Sequence, residues 1–169
     1  MINSNGNIIK KTQASISINN RGFTYGDIVF ETIKVLQNKV LFLEDHYFRL
    51  MASLRILRME IPMNFTMEFF ENEILKLIKI SNLNSLSVRV KFIVYRSEGG
   101  LFMPETNAIE YLVIAEQLYT ELYEISNENY TVDLYKDNYT SPGLISTLKT
   151  NNRIINVVGS IYAKENNFN

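Results

Sequence analysis

The sequence predicts an α+β fold: a two-layer N-terminal domain in which a mainly antiparallel sheet packs on two helices, followed by the truncated start of a second α/β domain. Three observations predict it. Alternating, strand-like segments lie on both sides of a pair of segments with helical periodicity. The best of the strands, Leu86 to Arg96, places Val88, Val90, Phe92 and Val94 on one face and Arg89, Lys91, Ile93 and Tyr95 on the other. A polar stretch from Gln117 to Asn129 then separates this pattern from one further strand and one further helix, dividing the chain into residues 1–118 and 119–169.

In chain order, Ile8 to Lys11 and Ala14 to Ile18 read as short strands around an exposed turn. Phe30 to Leu36 alternates, Gln37-Asn38 supplies a turn and Lys39 to Leu43 returns, which makes a hairpin. From Glu44 the period changes, and Tyr47, Leu50, Leu54 and Leu57 share one helix face. Glu44 and Asp45 in the first turn and Arg55 and Arg58 in the last suit the helix dipole, and Pro62 is the expected stop. Thr66 opens a second helix with Phe70, Ile74 and Leu77 inward. After Leu86 to Arg96, Gly99-Gly100 breaks the chain, Pro104 to Asn107 is a loop, and Ile109 to Ala115 is a strand. Tyr130 to Tyr135 is expected to be a strand, and a last helix starting near Asn151 or Asn152 is expected to bury Ile154, Ile155, Val158 and Ile161 on one side.

Composition narrows the function. Hydrophobic residues make up 46% of the 169 and charged residues 21%, the balance of a globular domain. A net charge of −1 with mixed signs offers no basic stripe for nucleic acid. Zero cysteines and one histidine exclude disulfides, a thiol nucleophile and the usual metal-ligand spacings, so no metal site is expected. No apolar run approaches a membrane span and the N-terminus has no apolar signal core, so a soluble, cytoplasmic protein without membrane contact is expected.

Three segments carry the chemistry: Arg21-Gly-Phe-Thr-Tyr-Gly-Asp-Ile-Val-Phe-Glu-Thr32, His46-Tyr-Phe-Arg-Leu50 and Ser146-Thr-Leu-Lys-Thr-Asn-Asn-Arg153. Gly22 and Gly26 permit tight turns, and Asp27 can accept from local backbone donors there. An arginine such as Arg49 offers a phosphate two parallel charge-assisted hydrogen bonds. A lysine such as Lys149 forms a Schiff base with an aldehyde cofactor when its amine is deprotonated. In order and spacing these segments resemble the fold-type IV pyridoxal-phosphate enzymes, the class IV family of branched-chain and D-amino-acid aminotransferases and aminodeoxychorismate lyase.

The resemblance implies a set of roles. Lys149 matches the Schiff-base lysine, Arg49 the arginine that holds the cofactor phosphate, and Asn152, by the Lys-x-x-Asn spacing, a partner of the cofactor ring oxygen. Phe30 falls on the substrate-facing wall, where some relatives carry tyrosine. Tyr95-Arg-Ser-Glu-Gly-Gly100 resembles a stretch whose arginine binds a substrate carboxylate, and Arg96 is preferred over Arg89 because the glycines beside it permit close approach. His46 is expected to be structural. The cofactor implied is pyridoxal 5'-phosphate, the substrates an amino acid and a 2-oxo acid, and the assembly a homodimer. Family members continue into a further half that carries the acid facing the pyridine nitrogen, so the resemblance implies that this chain is truncated. Amino transfer is the expected reaction. Release of pyruvate by a lyase is the alternative, disfavoured because Leu101 stands where lyase-like relatives often have arginine. A non-catalytic binding module made from the truncated fold is the alternative of a different class.

Overall fold

A computed structural model describes residues 1–121, 123, 125 and 129–169. The described residues divide into two compact units, one of residues 1–121 with 149–151 and the other drawn from 122–148 and 152–169.

The first unit is a six-stranded, fully antiparallel sheet. Its strands are β1 (Ile2–Ser4), β2 (Asn7–Ile9), β3 (Ile28–Leu36), β4 (Lys39–Val40), β5 (Ser87–Arg96) and β6 (Ile109–Leu118), ordered β2-β1-β6-β5-β3-β4. Two helices, α2 (Leu43–Ile56) and α3 (Met67–Ile80), cover one face, and a four-residue helix α1 (Arg21–Thr24) precedes β3. The expected α+β architecture with two helices on a mainly antiparallel sheet is therefore the observed one.

The apolar side of each strand decides which face the helices cover. Val88, Val90, Phe92 and Val94 of β5 are fully buried, as are Val29, Ile33 and Val35 of β3 and Val113 of β6. They meet Leu50 and Leu54 of α2 and Phe70, Ile74 and Leu77 of α3. Each such side chain contributes about 1.5–3 kcal/mol, an upper figure for an extended reference chain. The opposite face carries Arg89 paired with Glu116 at 2.6 Å, an exposed ion pair that solvent screens. Because a one-residue slip would turn every valine of β5 to the other side, burial rather than charge sets the register.

Several elements end differently from expectation. Ala14 to Ile18 forms no strand and pairs with no neighbour in the sheet, leaving Ile16 and Ile18 exposed; β2 is the sheet edge. The return strand β4 is two residues long, because Leu43 already begins α2. That helix stops at Ile56, well before Pro62. Arg58 takes a left-handed φ of 56°, its amide bonds back to the Arg55 carbonyl at 3.0 Å, and the Met59 amide bonds to the Leu54 carbonyl at 2.9 Å. This six-to-one closure satisfies the last carbonyls, so no proline is required. Helix α3 begins as expected, with Thr66 Oγ1 accepting from the Phe69 amide at 3.1 Å.

The second unit contains a 3-10 turn at Ile145–Thr147 and the helix α4 (Ile154–Glu165). Tyr130 to Tyr135 is not a strand. Thr131 meets the chain end instead: the Asn169 amide donates to the Thr131 carbonyl at 3.0 Å and the Thr131 amide to Asn169 Oδ1 at 2.9 Å, whereas a strand needs a continuous backbone partner. Helix α4 starts two to three residues later than expected, and its apolar side is not buried: Ile154 is 71% exposed and Ile161 51%. No helix among the described residues is long and apolar enough to cross a membrane.

Candidate functional site

Strand β3 presents alternate residues to opposite faces, and both faces carry chemistry. Toward the helices, Glu31 lies among Val29, Ile33 and Val35 and is 1% exposed. A buried carboxylate needs partners, and α2 supplies them one turn apart. Arg49 Nε donates to Glu31 Oε1 at 2.8 Å and Arg49 Nη2 to Glu31 Oε2, while His46 Nδ1 lies 2.8 Å from the same Oε2. The hydrogen bond to Glu31 is the main reason the Arg49 pKa is raised further, against partial burial. Half of the Arg49 side chain is nonetheless exposed, and among the described residues its Nη1 has no hydrogen-bond partner. The guanidinium is thus anchored on its inner edge and open on its outer one. That arrangement fits a phosphate.

On the other face, Phe30 lies beside a cation-rich surface. Lys91 Nζ sits 4.4 Å from the centre of its ring and Lys149 Nζ 4.8 Å. Lys149 reaches this place because its segment extends the sheet at the free edge of β3. The Phe30 amide donates to the Lys149 carbonyl at 3.0 Å, and Val29 pairs antiparallel with Thr150. Phe30, Thr32, Arg89, Lys91, Ile114 and Glu116 line an open cavity of about 310 Å³. Within it Arg89 is held by Glu116, whose pKa that hydrogen bond lowers.

Arg96 is placed elsewhere. It ends β5 on the helix-facing side, 6% exposed, with Nε on Asp27 Oδ2 at 2.8 Å, Nη2 on the Leu57 carbonyl at 2.7 Å and Nη1 on Asn107 Oδ1 at 2.5 Å. Asp27 also takes Arg21 Nε at 3.1 Å, and Arg21 Nη1 gathers the carbonyls of Gly99 and Leu101 at 3.0 and 2.6 Å. Arg96, expected to reach a substrate, is turned from Phe30 by its parity on β5, and its donors brace the loop and the end of α2. Asn152 belongs to the second unit, and the Lys149–Asn151 segment to the first.

Two groups escaped the sequence reading. Glu31 carried a visible signal, a carboxylate in phase with Val29 and Ile33 on a buried face. Lys91 shares its alternation phase with Arg89 and Ile93, yet its meeting with Lys149 over one ring depends on a strand edge that periodicity does not show.

Comparison with known proteins follows the same lines. A family model described as amino-transferase class IV matches residues 28–169. The chain is 32% identical over 97 residues to a putative branched-chain-amino-acid aminotransferase of Methanocaldococcus jannaschii, covering 57% of this chain and 32% of that protein. It is 23% identical over 161 residues to a D-alanine aminotransferase of Staphylococcus aureus, covering 95% of this chain and 54% of that protein. The chain thus spans about a third to a half of the length of these relatives. Among solved structures, a T.th. branched-chain amino acid aminotransferase complexed with N-(5'-phosphopyridoxyl)-L-glutamate superimposes with a TM-score of 0.60 at 25% identity, over 69% of this chain and 40% of that one. The branched-chain aminotransferase of Escherichia coli, at 20% identity, a TM-score of 0.60 and the same coverage, shares the fold. Enzymes of this class are pyridoxal-phosphate-dependent. With most of its length matched by the family model, the chain belongs to the class IV aminotransferases.

Proposed function

We propose that this chain carries the lysine-bearing and phosphate-binding part of a pyridoxal-phosphate-dependent aminotransferase, which moves an amino group between an amino acid and a 2-oxo acid. The observation that carries the proposal is the placement of Lys149 Nζ over the Phe30 ring, on a segment hydrogen-bonded to β3. The residues present fit the cofactor at two ends: Lys149 would hold its aldehyde carbon, and the outward edge of Arg49 its phosphate. When bound, the cofactor supplies an electrophilic carbon for the amine and a ring that withdraws electrons from the substrate's α-carbon.

The protein's own groups then do the following. Glu31 and His46 fix the plane of Arg49, so that its open edge is presented without loss of side-chain freedom on binding. Lys149, with its amine free, would be the group that takes and returns the proton of the substrate α-carbon. Lys91, together with Arg89 positioned by Glu116, receives the substrate carboxylate in the 310 Å³ cavity, in place of Arg96. Assignment of Asn152 to the cofactor ring oxygen stands on the Lys-x-x-Asn spacing alone. Amino transfer is favoured over pyruvate elimination by the aminotransferase relatives and by Leu101. Homodimer formation is supported by the exposure of the large apolar side chains Phe23, Leu101, Phe102 and Met103, and light scattering measures it.

The test is to add pyridoxal phosphate, reduce with borohydride and map the labelled peptide. Selective labelling at Lys149, lost in Lys149→Ala and weakened in Arg49→Ala, is the expected outcome. Label scattered over surface lysines, or none, favours the non-catalytic module.

A further inference from the structure

The turn between β1 and β2 is Asn5-Gly6, with φ of 49° and 85°, the positive pair that a two-residue hairpin turn requires. It is the only place in the chain where asparagine precedes glycine. That pairing is chemically fragile, because glycine has no side chain to keep its amide nitrogen from the preceding carboxamide. Here each reacting group is held. The Gly6 amide donates to Asn3 Oδ1 at 2.9 Å, Asn5 Oδ1 accepts from the Tyr111 amide at 2.7 Å, and Asn5 Nδ2 donates to Glu110 Oε2 at 3.1 Å. The buried Asn3 is fixed in turn by Glu73 of α3 at 2.6 Å, and Lys76 Nζ donates to the Gly6 carbonyl at 2.7 Å. The clamp therefore lasts only while the hairpin lies against β6 and α3. Strands β1 and β2 have three residues each, short enough for local opening.

We propose that Asn5 is a deamidation site gated by the hairpin, and that its conversion keeps the hairpin from returning. Once the turn is released, the Gly6 nitrogen gives up its proton to solvent and bonds to Asn5 Cγ. The Cγ–Nδ2 bond breaks and ammonia leaves. Water then opens the resulting cyclic imide at either carbonyl, leaving aspartate or isoaspartate. The new carboxylate would stand where Nδ2 stood, 3.1 Å from Glu110 Oε2. A hydrogen bond is lost there, and two like charges face each other. Among the described residues no lysine or arginine pairs with Glu110, whose Oε2 otherwise accepts from the Tyr95 hydroxyl at 3.3 Å. Isoaspartate does further harm, since its longer backbone shifts the register of Ser4 against Asn7. Ile2, Ser4 and Ile9 of the hairpin border the same hollow as Lys91, so detachment strips one wall from the face that carries the candidate site.

The first test is peptide mass mapping of the full 169-residue chain, aged in native buffer and in guanidinium chloride. Asn5 is expected to convert ahead of every other asparagine when unfolded, and at least about tenfold more slowly in the folded chain, because local opening must precede attack. Equal rates in the two conditions would overturn the gating. The second test is amide hydrogen exchange on Asn5→Asp. Exchange in Ile2–Ser4 and Asn7–Ile9 is expected to quicken at least about tenfold, with β5 unchanged as proof that the variant folds. Adding Glu110→Gln is expected to return most of the lost protection, since an amide can donate to the new carboxylate. Wild-type protection in Asn5→Asp refutes the one-way release. Loss of protection that Glu110→Gln does not restore refutes the facing charges as its cause, and that comparison decides the case even where β5 quickens too.

Discussion

At the scale of single residues, Glu31 decides how Arg49 behaves. With Glu31 buried and Arg49 half in solvent, the pair gains less than a fully enclosed one, yet deleting the cation leaves a carboxylate in the core. Arg49→Ala is expected to cost about 2–3 kcal/mol in urea unfolding, discounted from the range for fully buried pairs. Glu31→Gln introduced into Arg49→Ala is expected to recover about half, because the amide needs no counter-charge. Equal stability of the single and double variants would show that His46 alone compensates the carboxylate. Tyr95 offers a pH test. Burial, with Glu110 nearby adding to it, pushes its phenol up to about 12. The unfolded phenol titrates near 10, so between these values the folded state binds more protons than the unfolded one, and stability falls as pH rises. Tyr95→Phe is expected to flatten the fall between pH 10 and 12, as read from unfolding midpoints. Lys149 and Arg49 stand in legible motifs, whereas Glu31 was overlooked although its phase on β3 was visible. The partners of Arg96 were not legible, because nearness to glycines says nothing about what a side chain will meet.

Element boundaries turned on backbone conformation more than on residue type. Helices α2, α3 and α4 all close with the same pair of reversed hydrogen bonds, around Arg58, Asn82 and Asn167 at φ of 56°, 57° and 56°. A side chain in this left-handed region costs about 1 kcal/mol or more, which glycine avoids. Arg58→Gly is therefore expected to stabilise the protein by about 0.5–1 kcal/mol, after the added unfolded-state entropy of glycine. The glycine break after β5 behaves oppositely. At Gly100, φ is 75° and a Cβ would stand 2.2 Å from the Met103 carbonyl oxygen, backbone that cannot yield. Gly100→Ala is expected to cost about 2 kcal/mol or more, whereas Gly143→Ala, with nothing within 4 Å, should stay within about 0.5 kcal/mol. Thermal unfolding of the two variants checks the contrast. Strand β5 and helix α3 were legible because their periodicity is uninterrupted. The end of α2 was not, since an arginine in a glycine-like conformation leaves no mark in composition.

Across the whole molecule, stability is unevenly distributed. The first unit holds a core of fully buried side chains from three strands and two helices, while no residue of α4 is buried. Amide hydrogen exchange is expected to be slowest in β5 and faster in α4 by orders of magnitude, since α4 opens without disturbing buried apolar contacts. Comparable protection in both would show that α4 is covered in solution. Local pattern determined a good deal by itself: the strand faces, two of the helices, the antiparallel two-layer class, and the motifs that mark Lys149 and Arg49. Each depends on neighbours within one turn or one strand. Tertiary structure alone decided that Lys149 extends β3, that Lys91 shares the Phe30 ring with it, that Arg96 serves the loop and α2, and that α4 leaves its apolar side uncovered. The physical reason is that sheet edges, and the cavities beside them, form by pairing segments far apart in the chain, and local periodicity carries no record of which distant edge a segment will join.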